Sequence, residues 1–438
     1  MKLFRPLSIA LALVTACAAP AQAQSLAELY EAARGFDASI QSARAQYESV
    51  VARAEQSRAG TLPTVNLAVG TSRSNANANI RLPVAYGALA ATVSASQPLY
   101  RPANWITYEQ GKKSVVSAQS QLVSAEQDLV IRLSTAYFDV LAAQDALAFV
   151  VAQKTAVSEQ LASAKRNFEV GTSTITDTRE AQARFDLVIA QQIAAENDLR
   201  VKRLALDQLV GKQNADPAPL APPVALPPLQ PADVNAWVSQ AIEEHPALRQ
   251  SELALEVAQL ETRKAEAGNK PTLDLTGSYQ AARNDGTASS FVNSHISTAT
   301  VGLALNWPLF AGFSIQNRIK ETLALEDKAR SDLEAARRTV SQATRAAYFG
   351  VLSGQGQAKA LEAAEASSQS ALDANKLGYQ VGVRINIDVL NAQSQLFQTK
   401  RDLARARYDV LLGGLRLRQA NGTLKPEDLQ LINALLVK

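Results

Sequence analysis

The chain has 438 residues, of which 47% are apolar, 19% are charged and only 5% are aromatic. This composition argues for a folded protein, although the charged fraction lies below the usual quarter. Two histidines, one cysteine and one methionine leave almost no material for a metal site, a thiol centre or a histidine-based acid/base pair, so most enzyme classes are improbable. The formal net charge of +3 gives no indication of nucleic-acid binding.

The N-terminus has the organisation of an export signal. Lys2 and Arg5 precede an apolar run over 7–16, and small residues end this region at Ala23. We therefore predict a signal peptide over residues 1–23.

The residue that begins the mature chain has two possible assignments. Cleavage after the signal would start the mature protein at Gln24, without any cysteine. The segment ending at Cys17 also resembles a lipobox, which would make that cysteine a lipidated N-terminus. No run of 18 apolar residues follows the signal, so we expect no transmembrane helix. The short alternating strands of a membrane barrel remain compatible with the sequence.

The rest of the sequence contains an internal repeat. Residues 59–67 return as 267–275, an offset of 208, and residues 168–171 return as 379–382, an offset of 211. The segment between the two copies is rich in proline and alanine, which predicts an extended linker on the surface. The predicted domains are a first repeat (24–215), an equatorial linker (216–232), a second repeat (233–424) and a C-terminal equatorial segment (425–438).

Each repeat is predicted to contain the same elements in the same order. In the first, a helical pattern over 25–59 precedes a β-hairpin over 62–100, in which Val65, Leu67 and Val69 alternate with small or polar residues. A turn-forming stretch over 75–87 is expected to separate the two strands. A long helix and a shorter return helix follow. The second repeat is predicted to have its hairpin over 272–310, with a polar loop around 284–286, and its long helix over 314–379.

The long helices indicate an elongated assembly. A helix over 104–169 would reach roughly 100 Å at 1.5 Å per residue, which no compact domain accommodates. Apolar or small residues recur every seven positions along both long helices, as in a coiled-coil seam.

Four strands cannot close a pore, because the smallest membrane barrels have about eight. We therefore expect oligomerisation, with a side-chain-filled barrel from two copies or a twelve-stranded barrel with an aqueous lumen from three. The alternative is a pair of soluble hairpins capping a coiled coil. Aromatic residues favour the barrel, because they cluster where strands give way to helices, as in an interfacial belt. They are Tyr100, Trp105, Trp307, Phe310 and Phe313.

Four segments carry a family resemblance. SQPLYR begins at Ser96, NWPLFAGF begins at Asn306, YQVGVRINIDVLNAQSQLF covers 379–397, and ANGTLKPEDLQLINALL begins at Ala420. Together with the order of elements, they resemble the TolC family of outer-membrane efflux and secretion channels. The resemblance implies an α+β membrane protein with two structural repeats. It also implies a homotrimer, whose twelve-stranded β-barrel, four strands per chain, continues into a long α-helical barrel that crosses the periplasm.

The resemblance also implies a gate at the periplasmic helix tips. The family's gating aspartate, tyrosine and arginine match Asp177, Tyr379 and Arg384, and an arginine can give a carboxylate charge-assisted hydrogen bonds. The structural alternative is that Asp177 and Arg384 are ordinary surface charges beside helix starts.

A pore-facing aspartate of the family matches Asp388. Threefold symmetry would make it a ring of three carboxylates, which favours cations. Asn391 stands where the family's best-known member has a second aspartate, so the acidic ring is expected to be weaker here.

The two helix tips are the predicted docking sites of a periplasmic membrane-fusion adaptor. Their glycines are also expected simply as turn residues that tolerate positive φ. The docking residues are Val170, Gly171, Thr172, Val381, Gly382 and Val383.

The predicted function is a passive exit duct of a tripartite efflux or type I secretion system, located in the outer membrane and extending into the periplasm. Its expected partners are two further copies of the chain, outer-membrane lipid, the adaptor and an inner-membrane ABC or RND-type transporter. No enzyme activity, cofactor, metal or nucleic-acid partner is expected. The alternative is a periplasmic coiled-coil adaptor or scaffold without a pore. The sequence leaves open the cargo, the energy source of the transporter and the resting state of the gate.

Overall fold

The computed structural model describes residues 24–437, apart from 79–80, 225 and 288–289. The predicted signal peptide, including Cys17, lies outside the described residues. The predicted helical stretch at the start of each repeat, the long helices and four strands are all observed. In chain order the elements are α1 (Leu26–Phe36), α2 (Ala38–Arg58), β1 (Thr64–Ala78), β2 (Arg81–Tyr100), α3 (Pro102–Glu169), α4 (Ile175–Val210), α5 (Val234–Glu244), α6 (Pro246–Ala267), β3 (Thr272–Thr287), β4 (Ser290–Asn306), α7 (Ser314–Gln380), α8 (Asn386–Ala420) and α9 (Leu429–Asn433).

The chain folds into two compact units, and each takes segments from both sequence repeats. The first contains the chain up to Ser42, Val123–His245 and Thr339–Lys438, and the second contains Ala43–Leu122 and Pro246–Arg338. The repeats are therefore not compact units by themselves. The boundaries 24–215 and 233–424 remain a prediction about the periodicity of the sequence.

A four-stranded antiparallel sheet lies in the second unit, with the strand order β1-β2-β3-β4. The pairing of β2 with β3, from Ala88↔Asn284 to Tyr100↔Leu273, joins a strand of one repeat to a strand of the other. The two-hairpin prediction is confirmed, and this central pairing makes one sheet of them.

The predicted strand ends are wrong in three places. Residues 75–78 belong to β1 and 81–87 to β2, and 284–286 belongs to β3. Ladder hydrogen bonds outweigh the weak strand propensity of Asn, Gly and Pro. Pro83 lies beyond Ala88, the last residue of β2 that pairs with β3, and at the register shift opposite Ala76–Ala78 of β1. Proline, which has no backbone N–H to donate, is tolerated at such bulges and strand edges. In the other direction, β4 ends at Asn306 rather than at 310.

The first helical stretch of each repeat is broken once, which the sequence prediction missed. The breaks fall at Asp37 and at His245, which lie 208 positions apart, like the repeated segments around them. At the first break Asp37 Oδ1 accepts hydrogen bonds from the backbone N–H groups of Ser39 and Ile40, both at 3.1 Å. The carboxylate therefore begins α2 as a side-chain cap.

The main apolar core of the first unit surrounds α1 and the middle of α3. Tyr137 is completely buried there, and its hydroxyl donates to the Ala218 carbonyl at 2.8 Å. Ala218 belongs to the predicted linker, and its N–H donates to the Gln24 carbonyl at 3.1 Å. The described part of the linker contains no helix and no named strand. Pro217 and Ala218 are buried rather than on the surface, because backbone hydrogen bonds join this stretch to Gln24.

Helix α3 combines great length with an apolar middle. It contains an 18-residue window of mean hydropathy 1.3, of which 33% is buried, so by length and composition it could cross a membrane. Core helices meet the same criterion, and this one buries Leu129, Leu133 and Leu141. The expectation of no transmembrane helix rested on the lack of an unbroken apolar run, which is a stricter criterion than mean hydropathy.

Candidate functional site

The long helices of both repeats end in the same kind of turn. Gly171 follows α3 with φ +79° and Gly382 follows α7 with φ +81°, a conformation that costs glycine little. The next N–H closes each turn, from Thr172 to the Asn167 carbonyl at 2.8 Å and from Val383 to the Gly378 carbonyl at 2.9 Å. These are Schellman turns, which confirms the expected turn role of both glycines.

Amide side chains join the helix ends of the two repeats in what we call the tip cluster: Gln160, Asn167, Asp177, Tyr379 and Asn386. Asn167 Nδ2 donates to the Tyr379 hydroxyl at 3.1 Å, and Asn386 Nδ2 donates to the Asp177 carbonyl at 3.3 Å. Asn386 also accepts a hydrogen bond from Gln160 and is only 1% exposed. The ends of α3 and α7 and the starts of α4 and α8 are thus bonded together.

Asp177, a predicted gate residue, caps the start of α4. Its Oδ2 accepts from the Thr174 N–H at 3.0 Å and from the hydroxyls of Ser173 and Thr174, both at 2.8 Å. Burial raises the pKa of this carboxyl, but the three hydrogen bonds together leave the pKa below its usual value. The group is therefore an anion at neutral pH.

The other predicted gate residues have different partners. Arg384 Nη1 lies 3.8 Å from Asp388 Oδ2, and the Arg384 side chain is 59% exposed. Within the described chain, taken as a single copy, no hydrogen bond or ion pair joins Asp177, Tyr379 and Arg384 to one another. The sequence missed Gln160, Asn167 and Asn386, because an amide near a helix end is indistinguishable from an ordinary capping residue.

The two residues of the predicted constriction both have an arginine nearby. Asp388 lies in the first turn of α8 and is paired loosely with Arg384, as described above. Asn391 Oδ1 accepts a hydrogen bond from Arg184 Nη2 of α4 at 2.9 Å. The positive charge of Arg384 reduces the local negative potential that Asp388 alone would create.

The tips themselves present apolar side chains to solvent. Val170, Val381 and Val383 are 73%, 65% and 76% exposed, beside exposed Gly171, Thr172 and Gly382. Three such exposed valines at two equivalent turns form an apolar surface that the other described residues leave uncovered.

The sheet has one apolar and one polar face. Alternation along each strand and the pairing register put Leu67, Val93, Tyr279 and Ala299 in one row on the same side. Val65, Leu67 and Val69 are 65–69% exposed, so no part of the described chain covers this side. The opposite side carries a polar row, which consists of Asn66, Ser94, Ser278 and Thr300.

The predicted aromatic residues lie at the end of the sheet where the chain enters α3 and α7. Tyr100 ends β2 and is 46% exposed, and Trp105, in the first turns of α3, is 58% exposed. Between β4 and α7, Trp307 Nε1 donates to the Asn269 carbonyl at 3.1 Å. The rings of Phe310 and Phe313 pack edge to face, with their centroids 5.4 Å apart, and the two residues are 74% and 63% exposed.

Comparison with known proteins shows which family this chain resembles. The model of the outer membrane efflux protein family matches residues 29–212 and 237–423, once in each half of the chain. The chain is 34% identical to the outer membrane protein TolC of Vibrio cholerae, over 99% of this chain and 98% of that protein. It is 32% identical to the alkaline protease secretion protein AprF of Pseudomonas aeruginosa, over 80% of this chain and 73% of that protein.

Among solved structures, CusC has the same fold. It superposes with a TM-score of 0.81 at 18% identity, covering 91% of this chain and 92% of that one. A two-faced four-stranded sheet combined with long paired helices defines the class of outer-membrane channel proteins. The chain belongs to the outer membrane efflux protein family. It is an outer-membrane exit duct for efflux and secretion, which sets aside the pore-free periplasmic scaffold.

Proposed function

We propose that three copies of the chain close a twelve-stranded barrel in the outer membrane. The sheet of a single described chain supports this, because β1 and β4 form its outer edges and its two faces are apolar and polar. Lipid does not tolerate open sheet edges, and the edges of neighbouring copies would satisfy each other. The apolar side would then face lipid and the polar row at Asn66 would face the lumen.

The helical part of this assembly would be a twelve-helix tunnel through the periplasm, with four long helices from each chain. The tunnel acts as a passive conduit and not as an enzyme. Its proposed partners are a periplasmic membrane-fusion adaptor and an inner-membrane transporter, of the ABC type for protein secretion or the RND type for drug efflux. The similarity to AprF, a protease secretion protein, supports polypeptide as one class of cargo.

A pair of engineered disulfides tests the trimer. Thr71→Cys on β1 combined with Ser297→Cys or Ala299→Cys on β4 should give covalent dimers and trimers on oxidation. The matched control is Thr71→Cys with Leu89→Cys, which are register partners within one chain. Oxidation of this control should leave the protein monomeric on a denaturing gel. A protein whose β1 and β4 positions never cross-link between chains, while the control pair does form, would contradict the closed barrel.

At the tips, we propose that Asp177, Tyr379 and Arg384 gate the tunnel and that the exposed valines dock the adaptor. A photo-crosslinker at Val383 or Thr172 should label a co-purified adaptor. The control position is Ile193 on α4, which is 63% exposed and lies away from the tips. Labelling at Ile193 without labelling at the tips would contradict the docking assignment.

We propose that Asp388 contributes to a ring of carboxylates at the constriction. Asp388→Ala is expected to reduce cation selectivity, because three negative charges are removed from one narrow place. The measurement is the reversal potential of the reconstituted protein in a salt gradient, which should move toward zero. Asp402→Ala, at an exposed position on the same helix, should leave it unchanged. Equal reversal potentials for wild type and Asp388→Ala would refute the role.

A further inference from the structure

At its hairpin end, the apolar face of the sheet gives way to basic residues. The register places Thr71, Leu89, Arg283 and His295 in one row across the four strands. In the next row outward, Arg73 of β1 pairs with Gly87 of β2. Arg73, Arg283 and His295, here called the basic rim, therefore share the side of the sheet that carries Leu67 and Val93. All three are exposed.

The height of the rim matches the end of an apolar band. On β3 the apolar side runs from Leu273 to Ala281, and Arg283 is the next residue on that side. Eight residues at about 3.4 Å each span roughly 27 Å along the strand. A tilt of 35–45° reduces this to about 21 Å, near the typical apolar height of roughly 25 Å in membrane barrels. Arg283 thus lies at the level where the lipid head groups begin.

Gly87, the register partner of Arg73, has no side chain of its own at this level. A Cβ at Gly87 would lie 3.7 Å from Asp285 Oδ2, so the Asp285 carboxylate of β3 extends over this glycine of β2. Arg283 Nε lies 3.7 Å from Asp285 Oδ1, and both side chains are 61% exposed. The basic rim and Asp285 together thus carry two guanidinium groups against one loosely paired carboxylate, which leaves a net positive charge at this end of the sheet.

We propose that the basic rim binds the phosphate groups of an anionic lipid in the outward-facing leaflet. Guanidinium groups bind phosphate oxygens in a bidentate manner, and the acyl chains of the same lipid would lie on the apolar side below. A free phosphate or a polyanion would contact the rim alone, whereas an anionic lipid satisfies the charged and the apolar parts together. This inference rests on the proposed barrel, which makes this side of the sheet the lipid-facing one.

The test uses the full-length protein extracted from membranes and reconstituted in phosphatidylcholine nanodiscs. Diphosphoryl lipid A is the probe, fully dephosphorylated lipid A is its control, and the retained lipid is counted by native mass spectrometry. An arginine near a charged lipid surface contributes about 1 kcal/mol, a factor of about five in affinity. Arg73→Gln with Arg283→Gln should therefore weaken retention of the diphosphoryl lipid about twenty-five-fold.

Two further variants sharpen the result. Asp285→Asn removes the opposing carboxylate and should increase retention, which no general loss of folding could produce. Arg330→Gln on α7, whose side chain is 59% exposed but lies outside the sheet, should change nothing. Equal retention of both lipids, or equal retention by wild type and the double variant, would overturn the inference. Failure of the barrel itself would differ, because then no variant, wild type included, would insert into nanodiscs.

Discussion

Gly211→Ala is expected to destabilise the protein by about 2–5 kcal/mol, through backbone strain and overpacking together. Gly211 caps the C-terminus of α4 with φ +72°, and an added Cβ would lie 2.4–2.6 Å from three ring atoms of Phe36. The nearest of these atoms is Cγ, the ring atom bonded to Cβ, so rotation of the ring about the Cβ–Cγ bond leaves this contact in place. The measurement is the midpoint of unfolding in denaturant, followed by the circular dichroism of the helices.

Two other glycines separate strain from clash. Gly382 has φ +81° and open space around a Cβ, so Gly382→Ala should cost only the strain, about 1–2 kcal/mol. Gly350 lies inside α7 with open space and no positive φ, so Gly350→Ala should stabilise by about 0.5–1 kcal/mol. If Gly211→Ala and Gly382→Ala shifted the midpoint equally, the contact with Phe36 would have no energetic weight.

Removal of the Asp37 carboxylate should have a comparable effect, about 2–4 kcal/mol for Asp37→Ala. Asp37 receives two hydrogen bonds from Arg132, at 2.9 and 3.0 Å, and also caps α2. The variant loses the ion pair and the cap together. Asp37→Asn keeps a capping oxygen and should cost roughly half as much. Asp332→Ala, in the exposed pair with Lys328, is the control and should change stability by less than about 0.5 kcal/mol.

The same carboxylate predicts an acid dependence. Hydrogen bonds from Arg132 hold the pKa of Asp37 far below its usual value, against the opposing effect of burial. A depressed folded pKa gives stability that is fully present above the unfolded value of about 3.9 and is lost as the pH falls through the folded value. The advantage of wild type over Asp37→Asn in free energy of unfolding should therefore decline progressively as the pH falls below about 4. A difference in stability that stays constant between pH 7 and pH 2.5 would contradict this.

Periodicity explains why so much of the fold was predictable. The alternation of Val65, Leu67 and Val69, and the long stretches without a helix breaker, depend only on local sequence. The break at Asp37 was missed, because an Asp followed by Ala and Ser also fits inside a polar helix. Its role as a cap depends on Arg132, which is 95 positions away. The ends of β2 and β3 were missed for a similar reason, since pairing between strands overrides local turn propensity.

The candidate site was predictable only in part. The turn glycines Gly171 and Gly382 follow from the need for positive φ, and a sequence carries that signal directly. The hydrogen bonds of the tip cluster cannot be predicted in this way, because Asn386 contacts Gln160 and Asp177 only after the two repeats have packed together. The gate that we propose for Asp177, Tyr379 and Arg384 depends on contacts that are not made within one copy of the described chain.

Conductance in a planar bilayer tests the channel assignment most directly. Protein extracted from membranes and purified as the proposed trimer should produce discrete conductance steps with a preference for cations. A correctly folded trimeric sample that inserts into the bilayer and produces no steps above background would contradict the channel.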